Sequence, residues 1–175
     1  AFQRAMAGMS EYMTDENDSF WTWRTLMYDF VQKLDAEALE DIAIQLYREM
    51  LRAGYTHVGE FHYIHHDMGG AHYEDKAHLA HAMISAAKKA GIGMTLLPVL
   101  YAHGGFGGQE PNTGQRRFIN NAHDFVKMLS DLQEAYRDDP MVEIGMAFHS
   151  LRAVTPDMIA EVTRAAKAIN PDMPI

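Results

Sequence analysis

Apolar positions along this chain recur with two different periods, and the alternation between them lays out the elements. Over residues 20–34, Trp21, Leu26, Met27, Phe30, Val31 and Leu34 follow helical spacing. Asp35 stands as the N-cap of a second helix that runs to about residue 53, with Leu39, Ile42, Ala43, Leu46 and Met50 on its apolar stripe and Gly54 as its stop. Residues 55–61 read as a strand carrying Val58 and Phe61, with residue 64 as its outer limit. A helix over 74–90 ends at Gly91. Residues 94–100, Met-Thr-Leu-Leu-Pro-Val-Leu, form a short apolar run that reads as a buried strand, weakened by Pro98. Residues 120–136 are helical, and 141–148 are a third apolar strand run. Thr155-Pro156 opens a last helix, with a capping hydroxyl and a proline in the first turn, that ends near Asn170-Pro171. Asp15 to Asp18 form a polar loop ahead of the first helix.

Strands separated by single helices pair in parallel through crossovers. Strands that are apolar on both faces belong to a sheet covered by helices. Two α/β architectures fit, a doubly wound open sheet and a part of a (β/α)8 barrel. A whole barrel takes about 250 residues, and this chain of 175 shows three clear strands with a fourth starting at Ile175. Neither the opening Ala1-Phe2-Gln3-Arg4 nor the closing 170–175 reads as a natural boundary, so a piece cut at both ends is expected.

Composition removes several function classes. The net charge of −9 leaves no basic stripe for nucleic acid and makes an anionic ligand awkward without locally placed arginines. The absence of cysteine excludes disulfides, thiolate metal sites and thiol nucleophiles. No apolar run of about 18 residues is present to span a membrane.

In both architectures, chemistry belongs beyond the carboxyl ends of the strands. That rule selects His62, Tyr63, His65, His66 and Asp67 after the first strand. It selects Tyr101, His103 and Gly104 to Gly108 after the second, and His149, Ser150 and Arg152 after the third. Local His-x-x-His spacing is weak support for a metal, and His62, His65, His66 and Asp67 are expected to be a hydrogen-bonded loop with solvated imidazoles. His78 and His81 are expected to be a surface pair, Gly104 to Gly108 a loop over the site rather than a phosphate cradle, and Phe20, Trp21 and Trp23 a helix packing face. His149 and Arg152 carry more weight. A histidine there can move a proton or polarise a ligand, and an arginine can clamp a carboxylate through two parallel hydrogen bonds.

Five stretches of the chain carry a family likeness. They are Ala1 to Gly8, Phe20-Trp21-Thr22-Trp23-Arg24, Gly59-Glu60-Phe61-His62-Tyr63, His65-His66-Asp67 and Gly145 to Arg152. Together they resemble the amidohydrolase superfamily of deaminases, and within it the formimidoylglutamate deiminases, over essentially the whole chain. The resemblance implies a partial (β/α)8 TIM barrel of about three to four β/α units, residues 1–175 forming one domain truncated at both ends. It implies hydrolysis of the formimino carbon–nitrogen bond of N-formimino-L-glutamate, in histidine breakdown, to N-formyl-L-glutamate and ammonia. Gln3, Arg24, Tyr63, His149 and Arg152 fall on its substrate-binding positions, with His149 also the catalytic candidate. The resemblance implies one divalent metal, zinc, whose ligands would precede Ala1 or follow Ile175. No metal ligand is therefore expected in this chain, and the fragment alone is expected to be inactive. It further implies a small dicarboxylate substrate, a cytoplasmic location, and a homodimer for the intact enzyme, with neither nucleic acid nor membrane as partner. Two competing readings are a ring-amine deaminase of the same superfamily, which has no use for two carboxylate clamps, and a complete non-catalytic α/β binding module.

Overall fold

The computed structural model describes residues 1–9 and 19–175, so the polar loop expected at 15–18 lies outside the described residues. Four of the five main helices start where a side chain satisfies a free N–H group. Ser19 caps α1 (Phe20–Val31), its hydroxyl accepting from Trp21 N while the Thr22 hydroxyl accepts from Ser19 N. Asp35 caps α2 (Ala36–Arg52) through a 2.8 Å bond from Ala38 N. Asn121 and Thr155 do the same for α4 (Ala122–Tyr136) and α5 (Pro156–Ile169). Helix α3 (His78–Ala90) begins later than its spacing predicts, because Asp75 turns the chain first, its carboxylate accepting from Ala77 N and its carbonyl from His78 N. Helix α1 stops short of Leu34, because the Val31 and Leu34 carbonyls accept from the buried guanidinium of Arg117. Two short 3-10 helices, Phe2–Met6 and Thr113–Gln115, carry no period that a sequence pattern could reveal.

The strands are β1 (His57–His62), β2 (Gly93–Leu100), β3 (Val142–Ile144) and β4 (Ala147–Phe148), all paired in parallel. The run expected as one strand over 141–148 is thus two. At the break, Gly145 N donates to Leu96 O at 2.8 Å while Met146 N turns away to Pro174 O at 2.9 Å. The approach is close: a Cβ on Gly145 would sit 2.7 Å from Leu97 Cδ2 and 2.8 Å from Pro174 O. Pro98 lies opposite the same gap, since β2 pairs with β3 up to Leu96 and with β4 from Val99 onward. Its missing N–H therefore falls where the ladder on that side is already open.

Burial decides between the two architectures. Spatial order follows chain order through β1, β2 and β3, with β4 also beside β2. One sheet face is covered: Val58, Glu60, His62, Met94, Leu96 and Ile144 are buried, and Tyr47 of α2 donates to Glu60 at 2.9 Å. The other face is open, with His57, Gly59, Phe61 and Glu143 exposed. Across it His57 Nε2 donates to Thr95 Oγ1, which donates to Glu143 Oε2, each bond 2.9 Å long. A doubly wound sheet reverses its strand order and covers both faces. This is instead the singly wound arrangement of a partial (β/α)8 barrel, the open face being the inner one. Phe61, three residues from Val58, necessarily lies on the opposite face from it. Among the described residues no helix is long and apolar enough to cross a membrane.

Candidate functional site

A cavity of about 250 Å³ opens at the carboxyl ends of the strands, and Gln3, Arg24, Tyr63, His149 and Arg152 all line it. They arrive from separate parts of the chain. Gln3 lies on the first 3-10 helix and Arg24 on α1. Tyr63 follows β1, His149 follows β4, and Arg152 sits in the turn after it. Phe20, Trp23, Tyr28, Phe61, Tyr101 and Phe118 supply aromatic walls, and among the described residues no aspartate or glutamate lines the cavity.

The polar groups are held but not used up. Gln3 Nε2 donates to the Tyr63 hydroxyl at 2.9 Å, leaving the phenolic proton for another acceptor. The Arg24 guanidinium lies over the Trp21 ring, 4.4 Å from its centroid, and 5.5 Å from that of Tyr28. Arg152 Nε is buried without a hydrogen-bond partner among the described residues. The His149 ring packs against Tyr101, Tyr63 and Phe61 with centroids at 4.3, 5.5 and 6.1 Å. Its Nδ1 lies 3.2 Å from Ser150 Oγ. Burial, and then the nearby Arg152 guanidinium, push the His149 imidazole down to about 4, so it is neutral at pH 7. Burial raises Tyr63, and burial with a hydrogen bond to Tyr101 takes Tyr28 up to about 12 against the pull of Arg24. At neutral pH the cavity therefore offers two cations and several neutral hydrogen-bonding groups.

Other residues singled out in the sequence lie elsewhere. His65 and His66 are buried rather than solvated, because each imidazole fills a loop contact: His65 Nε2 meets Val99 O at 3.0 Å and His66 Nε2 meets Ile119 O at 2.6 Å. His62 is buried too, and burial depresses all three below the usual histidine range, His65 to about 4. Asp67 accepts from Ala71 N at 2.8 Å as part of the loop's turn. No group of three or more His, Cys, Asp or Glu side chains among the described residues could hold a metal ion, so the residues present do not fit one. His78 and His81 do not act as a pair. His78 packs on Tyr73, whereas His81 bonds to the Tyr136 hydroxyl at 2.7 Å and lies 3.2 Å from Asp75. Gly104 to Gly108 close into a small hairpin through a Gly105–Gln109 bridge. Phe20 and Trp21 depart from expectation: both are exposed, since the buried stripe of α1 is Met27, Tyr28 and Val31, and the first turn projects past the core to the cavity. Tyr28 and Phe118 line the cavity without having been singled out. Tyr28 sits within a helical apolar stripe, and Phe118 stands in an irregular segment with no pattern to mark it.

Against known proteins, the Amidohydrolase family profile matches residues 7–175. A formimidoylglutamate deiminase from Pseudomonas aeruginosa is 54% identical over all 175 residues, and the chain spans 38% of that protein. A crystal structure of an amidohydrolase from Brucella melitensis superposes with a TM-score of 0.89 at 45% identity, covering 98% of this chain and 38% of that one. A mutant atrazine chlorohydrolase from Arthrobacter aurescens, solved with zinc and atraton, superposes at 0.69 with 18% identity, covering 97% and 36%, and shows the shared fold.

Proposed function

From a chain that belongs to the amidohydrolase family, we propose that the protein is a hydrolase that deiminates N-formimino-L-glutamate, and that this chain supplies the substrate-binding part of its site. In the overall reaction water adds at the formimino carbon and ammonia leaves, giving N-formyl-L-glutamate. One observation carries the substrate class. In a protein of net charge −9, two arginines and, among the described residues, no carboxylate line the cavity, and one of the arginines keeps a buried nitrogen without a partner among those residues. Such a cavity favours a ligand with two carboxylates. Arg24 and Arg152 are proposed to clamp the two carboxylates. Tyr63, with its hydroxyl oxygen already bonded by Gln3, donates its proton to a ligand oxygen. His149, neutral and with Nδ1 on Ser150, presents Nε2 to the formimino group. The described residues do not compose a metal site, so these roles concern the substrate alone.

The aromatic walls favour a second reading, a deaminase of a flat ring amine, because such walls stack on heterocycles. A substrate panel on the full-length protein that contains this chain separates the two. Ammonia release should be fastest from N-formimino-L-glutamate. It should fall about 10- to 100-fold with the analogue lacking the α-carboxylate, the loss of one charge-assisted pair. Faster release from guanine or another ring amine would give the site to the second reading.

A further inference from the structure

We propose that Tyr101, a wall of the cavity, and Gln115, behind it, are positioning residues that hold the His149 ring in one orientation. In that orientation Nδ1 lies on Ser150 while the ring lines the cavity. The role given to His149 rests on the deiminase reading; the way it is held does not. Tyr101 is the first residue past β2 and is buried, its ring 4.3 Å from that of His149. It is fixed at both ends. Its carbonyl accepts from Asn120 N at 2.9 Å, and its hydroxyl accepts from Gln115 Nε2 at 2.8 Å. Gln115 is buried in turn and has one amide orientation available. Its Oε1 accepts from Asn112 N at 2.9 Å and its Nε2 also reaches Gly104 O at 3.3 Å, so a flipped amide would set N–H against N–H and oxygen against oxygen. The His149 backbone is tied down as well, its N–H donating to Leu100 O at 3.1 Å. What remains free in His149 is the side-chain torsion, and the immobile Tyr101 face restricts it.

The charged and titratable groups around the ring are Tyr63 beyond β1, Tyr101 beyond β2, Tyr28 and Arg24 on α1, and Arg152 in its own turn. Among the described residues none is a carboxylate that could draw the imidazole into its charged form. A ring released from Tyr101 would reach water, and its titration would move toward that of an ordinary histidine.

The test uses the full-length protein with Tyr101→Leu, Tyr101→Phe and Gln115→Leu, following the imidazole signals of His149 by NMR against pH together with kcat and KM for ammonia release. Tyr101→Leu should raise the His149 midpoint by about one pH unit or more. It should lower kcat about 10- to 100-fold, as misplacement of a reacting partner does, with a smaller change in KM. Gln115→Leu should move both readouts the same way but less, and Tyr101→Phe, which keeps the ring, least. If Tyr101→Leu does not fold, the Gln115→Leu and Tyr101→Phe pair decides. Variants that lose thermal stability while the His149 titration and kcat stay at wild-type values would overturn the proposal and make both residues structural only. A wild-type protein inactive on N-formimino-L-glutamate sinks the deiminase reading, and the His149 titration still decides the positioning claim.

Discussion

Arg117 concentrates much of the local organisation around the site in one side chain. It is fully buried, and its guanidinium donates to the carbonyls of Val31, Leu34 and His66, joining the end of α1 to the loop after β1. A cation at a helix carboxyl end is favourable, but removing it leaves three buried acceptors unmet. Arg117→Met should therefore destabilise the protein by about 3–5 kcal/mol, read as a lower denaturation midpoint, and should loosen the wall that carries Arg24. Nothing in the sequence marks Arg117, because a buried arginine and an exposed one look alike until the fold brings carbonyls to it. The same holds for Tyr28 and Phe118. By contrast, the residues that meet at the cavity, Gln3, Arg24, Tyr63, His149 and Arg152, could be named from the sequence. Tyr63, His149 and Arg152 stood out by their place after an apolar run, and Gln3 and Arg24 through the family likeness alone.

At the scale of elements, local chemistry and tertiary contact divide the outcome. Caps written in the sequence set the start of α2 and α5, and the pattern found them, because Asp35 and Thr155 act on their own next turn. The start of α3 and the end of α1 depend on Asp75 and Arg117, and the pattern missed both. The division of the third strand run into β3 and β4 was equally hidden, since it arises where Gly145 and Met146 take partners from two different segments. Gly145→Ala tests how tight that junction is. Its Cβ would meet the Leu97 side chain, which can turn aside, and the Pro174 carbonyl, which cannot. The cost should be about 1–3 kcal/mol of stability by thermal or chemical denaturation, as for other overpacked sites.

For the molecule as a whole, three buried histidines and the half-buried His149 make the fold acid-sensitive. His62, His65, His66 and His149 are all depressed by burial, His65 and His149 to about 4. Because the folded values lie below the ordinary 6.5, the unfolded chain takes up protons first as pH falls. The stability these groups hold above pH 6.5 is lost progressively as pH falls, down to about 4 for His65 and His149, with His65 alone accounting for roughly 3 kcal/mol. Unfolding midpoints measured between neutral pH and about pH 5 should fall steeply, and His65→Gln should flatten the fall. Over the same range the cavity keeps its two cations and faces the carboxyl end of a parallel, one-sided sheet, where barrel enzymes place their ligands. Recognition of N-formimino-L-glutamate depends most heavily on Arg152 meeting a carboxylate. The decisive measurement is kcat/KM for ammonia release from N-formimino-L-glutamate by the full-length protein and its Arg152→Ala variant, both confirmed as folded. The account predicts a loss of about 100-fold or more in the variant. A variant within about threefold of wild type would contradict it, because truncating a carboxylate clamp cannot leave the transition state so nearly unchanged.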